Sequence, residues 1–240
     1  MSNEMNNTVK KQFSFVIIVL TAISITMQIA ANVVSARTME VISHGAPLGC
    51  FFFPIVYIIS DITSDVYGYR VSRWIAWITV AMQLLLVGCV KLILAVTTPY
   101  GEFSETLDES LYLVFSSGAT IVFAGIVGAV LGGWTNDIIF QRFRHTDGES
   151  KFIKRKLFSS AGAEIVDTFL FITIAFKIGF KMPWADVCWM YLIQFALKYA
   201  VEVLTSPIAK VASEKIRKLE GSDVFEDRNK FNIFGFEKKK

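Results

Sequence analysis

The chain has 240 residues, of which 53% are hydrophobic, 14% aromatic and 19% charged, and its formal net charge is +3. Its mean hydropathy is +0.50, and most charged residues lie in short segments between apolar runs. This distribution is typical of a polytopic membrane protein, and it excludes a soluble enzyme, a disordered chain and a soluble domain on a single anchor. The basic residues flank apolar runs and form no stripe, so we expect the lipid bilayer as a partner and no nucleic acid.

Six apolar runs are each long enough to cross a hydrocarbon layer of about 30 Å as a helix that rises about 1.5 Å per residue. The second run contains Pro54 and two aspartates, and interrupted segments of this kind often line cavities in transporters. We therefore predict an all-α membrane protein with six transmembrane helices. The runs cover residues 13–34, 48–67, 74–97, 111–139, 157–176 and 184–207.

The distribution of lysine and arginine predicts the orientation of these helices. With the amino terminus in the cytoplasm, the opposite side holds only Arg37, Lys177 and Lys181. Nearly all other basic residues lie on the cytoplasmic side, among them Lys10 and Lys11 in the amino-terminal tail, Arg73 in the second connector, and Arg155 and Lys156 in the fourth. Such an asymmetry places both termini in the cytoplasm. We expect a multi-pass membrane protein, with a transmembrane domain at residues 1–209 and a basic cytoplasmic tail at 210–240.

Small residues recur along the fourth run. Gly118, Gly125 and Gly132 are spaced by seven, and Ala124, Gly128 and Gly132 are spaced by four. Because small residues let helices approach closely in lipid, this row predicts packing against another span of the same chain, with a homodimer as the alternative.

Neither metal nor cofactor chemistry is indicated. The three cysteines lie far apart, and the two histidines, His44 and His145, lie in different connectors without ligand-spaced neighbours. Nucleotide-binding loops and the common hydrolase motifs are lacking. We predict that the protein is not an enzyme and has no cofactor and no metal.

Ionisable residues inside the spans are the main functional signal, because they are costly in lipid and usually face a cavity, a partner or a proton path. They form three pairs, each on one helical face: Asp61 and Asp65, Glu164 and Asp167, Lys198 and Glu202.

Depth estimates from the helical rise place four of these charges at one level in the inner half of the bilayer: Asp61, Glu164, Asp167 and Lys198. A structural alternative is that Lys198 forms a salt bridge with Asp167 or Glu202. The lysines within the spans are too few for the acids, however, so some acids must be protonated, solvated or paired with a ligand. Simple hydration near the interface could account for Asp65 and Glu202.

Uncharged polar residues and aromatic rings accompany the same helices. Amides such as Asn32, Gln28, Gln83 and Gln194 are more often hydrogen-bonding links between helices than ligand contacts. Some aromatic residues, Tyr57 and Tyr199 among them, could enclose a flat ring. The residues leave three classes open: a solute transporter, the substrate-binding subunit of a larger transporter, and an intramembrane enzyme of unrecognised type.

Over nearly its whole length the sequence resembles the queuosine precursor transporter family, also called the vitamin uptake transporter family. The residues of the resemblance are Phe53-Pro54 through Ser60-Asp61 to Tyr67-Gly68, Gly162-x-Glu164-x-x-Asp167-Thr168, and Lys198-Tyr199-x-x-Glu202-Val203-Leu204-x-x-Pro207. The resemblance implies import of 7-deazaguanine bases, 7-cyano-7-deazaguanine or 7-aminomethyl-7-deazaguanine, for synthesis of the tRNA nucleoside queuosine.

A carboxylate can accept two hydrogen bonds from a guanine-like edge, so we expect Glu164 or Asp167 to bind that edge and Asp61 or Glu202 to meet the 7-substituent or a coupling proton. The candidate substrate-binding residues are Asp61, Glu164, Asp167, Lys198, Glu202, Asn32, Tyr57 and Tyr199.

Two rival functions remain: a substrate-binding subunit of an energy-coupling-factor vitamin transporter, and a structural protein whose buried charges only hold helices together. Three spans followed by three more are also compatible with a 3+3 inverted repeat.

Overall fold

A computed structural model describes residues 14–35, 37–41, 43–112, 114–115, 118–147, 151–221 and 234. The basic residues predicted at the amino terminus, Lys10 and Lys11, and most of the predicted tail lie outside these ranges. The described chain is mostly helical. Its helices are α1 (Phe15–Ser35), α2 (Phe53–Val66), α3 (Tyr69–Val96), α4 (Glu102–Tyr112), α5 (Gly118–Asp147), α6 (Phe152–Ile172) and α7 (Trp184–Glu220).

A β-hairpin, a short 3-10 turn and a π-helical segment depart from the predicted pattern of transmembrane α-helices. A hairpin between α1 and α2 pairs β1 (Thr38–Val41) with β2 (His44–Pro47) in antiparallel register and leads into a 3-10 turn at Leu48–Phe51. His44, expected in an irregular connector, stacks on Trp189 of α7 with ring centroids 4.7 Å apart. The carboxyl end of α6 continues as a π-helical segment, Thr173–Gly179.

Among the described residues, five helical stretches are long and apolar enough to cross a membrane: Phe15–Ser35, Leu48–Val66, Tyr69–Val96, Thr120–Phe143 and Trp184–Glu220. The remaining predicted span, 157–176, corresponds to α6 and its π-helical continuation. Helix α6 is less apolar because it carries five charged residues, Lys154, Arg155, Lys156, Glu164 and Asp167.

Helix α6 packs along α5 and against α7, while α2 packs against α7 and α1. The small residues of α5 make the close contact with α6 possible. A Cβ atom at Gly132 would lie 2.7 Å from Asp167 Cβ and 2.9 Å from the Tyr57 hydroxyl, and Gly128 also lies against Asp167. Gly125 lies against Asn32 of α1. The glycine row therefore packs within the chain, as one of its two interpretations predicts.

The segment before α5 is arranged differently from the prediction. Residues 111 and 112, expected to begin the fourth span, end the acidic helix α4, and the next helix begins at Gly118. Glu102 and Glu105 lie in the first turn of α4, where carboxylates interact favourably with the helix dipole. This helix has no buried residue, as expected for a surface connector.

Helix α7 crosses the predicted domain boundary between residues 209 and 210 without a break. Its 37 residues correspond to a length of about 55 Å, which exceeds a hydrocarbon core of about 30 Å. Ser213, beyond that boundary, is buried, and Gly221 ends the helix in the left-handed conformation with φ 58°. Residues 210–220 therefore continue α7, and the division into a transmembrane domain at 1–209 and a cytoplasmic tail at 210–240 stays a prediction.

Candidate functional site

Five of the predicted site residues are buried where α2, α6 and α7 meet, each at most 1% exposed: Asp61, Glu164, Asp167, Lys198 and Glu202. They divide into two clusters, in each of which one lysine ammonium lies between two carboxylates.

The first, the Lys198 cluster, consists of Lys198 from α7 and three residues of α6, Glu164, Asp167 and Thr168. The Lys198 Nζ lies 2.6 Å from Asp167 Oδ2 and 3.2 Å from Glu164 Oε2. It also donates to the Thr168 hydroxyl at 3.3 Å, and that hydroxyl donates to Glu164 Oε2 at 3.2 Å. The Phe53 ring lies 4.4 Å from the same Nζ, close enough for a cation–π interaction.

The second, the Lys156 cluster, joins three helices through Lys156 of α6. Its Nζ lies 2.9 Å from Asp61 Oδ2 of α2 and also pairs with Glu202 Oε2 of α7. Asn136 of α5 donates to Asp61 Oδ1 at 2.6 Å, and Ser160 donates to Glu202 Oε2 at 3.3 Å. Four helices therefore contribute to this cluster.

Two predictions about these charges are wrong. Lys156 was assigned to a cytoplasmic connector, yet it is fully buried. Glu202 was expected to pair with Lys198 or to be hydrated, yet it is 0% exposed and pairs with Lys156. The reason is that α6 begins at Phe152, so its buried face already includes Lys156 one turn before Ser160 and two turns before Glu164. The spacing of four between Lys156, Ser160 and Glu164 is the sequence feature that could have indicated that Lys156 is buried.

Each cluster holds two carboxylates for one ammonium, so neither is neutral if all groups are ionised. Three carboxylate oxygens have no hydrogen-bond partner among the described residues: Glu164 Oε1, Asp167 Oδ1 and Glu202 Oε1. Buried polar atoms are normally paired, and a free carboxylate oxygen can accept a proton or a ligand donor. The clusters therefore have spare acceptor capacity in the interior of the bundle.

Asp65 lies in a third buried cluster, the Asp65 cluster, which ties α2 to α6 and to the end of α7. Its carboxylate pairs with Arg155 at 3.1 Å and with Arg217 at 2.5 Å, and it accepts a hydrogen bond from Ser213 at 2.5 Å. The expectation that hydration accounts for Asp65 is wrong, since the residue is 1% exposed. Arg155, assigned to a connector, is likewise buried.

Besides these three clusters, the structure contains a buried ion pair that the sequence analysis missed. Arg73 of α3 lies 3.3 Å from Asp137 of α5 and donates to the Val130 carbonyl at 3.2 Å. Ser72 and Ser60 donate to the same aspartate at 3.0 and 3.2 Å. Arg73 had been counted as a signal of orientation, whereas it is 0% exposed.

A cavity lies between α1, α2, α3 and α5, and its empty volume of about 680 Å³ includes the open space at its mouth. Its wall is mostly apolar with several polar groups, and Arg73 is the only charged side chain among the described residues that line it. The polar and aromatic lining residues are Ser24, Gln28, Phe53, Tyr57, Ser60, Thr63, Ser72, Arg73, Thr79 and Gln83.

Several amides expected to link helices lack the partners that this role requires. Within the described ranges, the Nε2 atoms of Gln28 and Gln83 and both amide atoms of Gln194 have no hydrogen-bond partner. Both amide atoms of Asn32 are unpaired too, and Asn32 lines a smaller cleft of about 230 Å³ that also includes Gln83.

The two predicted tyrosines differ. Tyr57 lines the main cavity and lies beside Asp167, with both groups against Gly132. Tyr199 is half-buried and stacks on Phe195 with ring centroids 5.9 Å apart, and it is not among the lining residues of the cavity. Phe53 also lines the cavity while its ring contacts Lys198. Phe53 and Tyr57 therefore lie between the cavity and the Lys198 cluster.

A multi-pass helical membrane protein that has a mostly apolar cavity with a few polar groups, beside buried ion clusters, has the features of a solute transporter. Residues 47–212 match the family described as "Putative vitamin uptake transporter", and the chain belongs to this family. It is also 22% identical over 191 residues to the "Probable queuosine precursor transporter" of Bacillus subtilis (strain 168), covering 78% of this chain and 80% of that protein. No solved structure matches it significantly.

Proposed function

We propose that this protein imports 7-deazaguanine precursors of queuosine, such as 7-cyano-7-deazaguanine and 7-aminomethyl-7-deazaguanine, across a bacterial inner membrane to supply tRNA queuosine synthesis. The observation that carries the proposal is the similarity, over about four fifths of both chains, to the Bacillus protein named as a probable queuosine precursor transporter. The cavity supports it, because its lining of apolar and aromatic side chains with a few polar groups suits a small heteroaromatic solute.

The proposed topology has six spans with both termini in the cytoplasm. Helix α6 is the fifth of these spans, and it can cross lipid despite its charges because Arg155, Lys156, Glu164 and Asp167 all face partners inside the bundle. Paired charges that face the protein interior avoid most of the cost of exposure to hydrocarbon. An inverted 3+3 repeat would make α2 and α6 equivalent, and both carry buried acids.

We place substrate recognition beside the Lys198 cluster. The free oxygens of Glu164 and Asp167 are suited to accept hydrogen bonds from the ring amide and the exocyclic amine of a 7-deazaguanine. Asp61 and Glu202 share one ammonium and are suited to bind a coupling proton or the 7-substituent. Since Phe53 and Tyr57 separate the cavity from these carboxylates, the two rings must move for the substrate to reach them.

Transport by the purified protein in liposomes tests the function. Vesicles containing only this chain should take up labelled 7-cyano-7-deazaguanine faster than empty vesicles, and excess unlabelled substrate should compete. If uptake appears only after an energy-coupling ATPase module is added, the protein is instead the binding subunit of such a transporter. If folded protein gives no uptake in either arrangement, the proposed substrate is wrong.

The site is tested by isosteric variants of its carboxylates. Glu164→Gln and Asp167→Asn should each reduce substrate affinity at least tenfold, because each removes a charged hydrogen-bond acceptor. Glu105→Gln is the matched control, since Glu105 is on the exposed helix α4. If both site variants bind as the wild type does in folded protein, the carboxylates do not contact the substrate.

A further inference from the structure

We infer that the cavity between α1, α2, α3 and α5 is a separate substrate subsite, in which the amides of Gln28 and Gln83 donate hydrogen bonds to the acceptor atoms of a neutral heterobicyclic base. This inference rests on the proposed function. The subsite recognises the hydrogen-bond acceptors of the base, which are its ring carbonyl and its nitrile. The carboxylates behind Phe53 and Tyr57 suit the opposite role, because they accept hydrogen bonds from the N–H groups of the base.

The unpaired state of the two amides is the first observation. Gln28 on α1 and Gln83 on α3 both line the cavity, and each is 3% exposed. Their Nε2 donors have no hydrogen-bond partner in the part of the chain that the structure describes. Burying an amide donor without a partner destabilises the fold, so an apolar side chain of equal size would be better for stability alone. A ligand acceptor would give both donors the bonds they lack.

The lining of the cavity agrees with a flat ring. Phe53 and Tyr57 present aromatic side chains to it, and most of the remaining wall is apolar. Aromatic faces stack favourably on planar heterocycles. The hydroxyl of Thr63, 1% exposed and without a partner among the described residues, adds a third polar group to the wall.

The charges that line the cavity determine which 7-deazaguanine it binds more tightly. Among the described residues that line the cavity there is no carboxylate, and the one charged residue, Arg73, is already paired with Asp137. A primary ammonium would therefore enter without a counterion and beside a guanidinium, which is unfavourable. A nitrile is neutral and accepts a hydrogen bond from an amide. The cavity therefore favours 7-cyano-7-deazaguanine over 7-aminomethyl-7-deazaguanine.

Equilibrium binding of both compounds to the purified full-length protein tests this subsite, with the thermal midpoint measured in parallel. We expect the wild type to bind the nitrile at least tenfold more tightly than the amine. Gln28→Met and Gln83→Met should each weaken nitrile binding roughly tenfold while leaving the thermal midpoint without ligand unchanged or higher. Gln194→Met is the matched control, because Gln194 is also a buried amide without a partner among the described residues but does not line this cavity.

The outcomes separate this inference from the proposed function. If the wild type binds a deazaguanine but the Gln28 and Gln83 variants bind it equally well, the subsite is wrong and the function stands. Preference for the amine, or a loss in Gln194→Met as large as in the cavity variants, also overturns the subsite. If the folded wild type binds none of the compounds, both the proposed function and the subsite are wrong.

Discussion

Asp61 of α2 and Glu202 of α7 share a single counterion, the ammonium of Lys156 on α6. The neighbouring Lys198 cluster repeats the arrangement with Glu164 and Asp167 around one lysine. Both lysines are 0% exposed and the acids that they pair with are buried beside them, so solvent water cannot hydrate these acids in place of the lysines. The contacts between α2, α6 and α7 therefore depend on the ionisation of the same groups that we propose for substrate and proton binding.

Removing Lys198 should destabilise the protein strongly. In Lys198→Met two buried carboxylates lose their counterion, which we expect to cost about 3–5 kcal/mol in free energy of unfolding. Combining it with Asp167→Asn should recover part of that loss, since the double variant has one buried carboxylate fewer. Chemical denaturation in detergent gives the free energy of unfolding of Lys198→Met, Asp167→Asn and the double variant. Strictly additive losses would show that Lys198 and Asp167 do not interact in the folded protein.

The contact of Phe53 with Lys198 should also contribute to stability. Phe53→Leu removes the ring that lies 4.4 Å from the ammonium, and we expect a loss of about 1–3 kcal/mol from cation–π attraction and packing. Phe169→Leu is the control on α6, because Phe169 is 55% exposed and should change stability by less than about 0.5 kcal/mol. Equal effects of the two substitutions in denaturation experiments would contradict the buried contact.

Gly132 should tolerate no side chain. A Cβ there would meet Asp167 and the Tyr57 hydroxyl at 2.7 and 2.9 Å, so Gly132→Ala should cost about 1–3 kcal/mol. Gly88 in α3 has no atom within 4 Å of its Cβ position, and Gly88→Ala should gain about 0.5–1 kcal/mol from helix propensity. Thermal unfolding of both variants checks the prediction, and a neutral Gly132→Ala would show that α5 and α6 are not in close contact there.

The apolar runs predicted most of the helices and the buried face of each charged pair, but not the partners of the charges. Counting basic residues as signals of orientation placed Arg73, Arg155 and Lys156 in connectors, although the helices begin early enough to bury them. A sequence gives the spacing of side chains on one helix, whereas pairing depends on how neighbouring helices are rotated and displaced. For that reason the sequence leaves Asp167 and Glu202 as alternative partners of Lys198, and only the structure shows that Lys198 pairs with Asp167.

The cavity could not be predicted either. Gln28 and Gln83 were interpreted as links between helices, which is the usual role of amides in spans. Only the packing of α1 and α3 shows that their Nε2 donors face no protein acceptor in the described structure. Of the two tyrosines expected to be able to enclose a flat ring, Tyr57 lines the cavity, whereas Tyr199 is on a half-exposed aromatic face with Phe195. Contact of either with a substrate stays a prediction.

Chains truncated at two positions should show where the helical bundle ends and the tail begins. A chain that ends at Gly221 keeps all of α7 and should be as stable as the full-length protein. A chain that ends at Ala209 loses the contacts of Ser213 and Arg217 with Asp65, which we expect to cost about 2–4 kcal/mol. Unfolding of the purified truncated proteins measures the difference. Equal stability of the two would support the boundary at residue 209 that the sequence predicts.

Queuosine content of tRNA tests the central claim most directly. The measurement uses bacteria that lack their own precursor synthesis and precursor uptake, supplied with a low concentration of 7-cyano-7-deazaguanine. Expression of the wild type should restore queuosine in tRNA, expression of Asp167→Asn should restore much less, and Glu105→Gln should match the wild type. Absence of queuosine in cells whose membranes contain the folded wild-type protein would contradict the account.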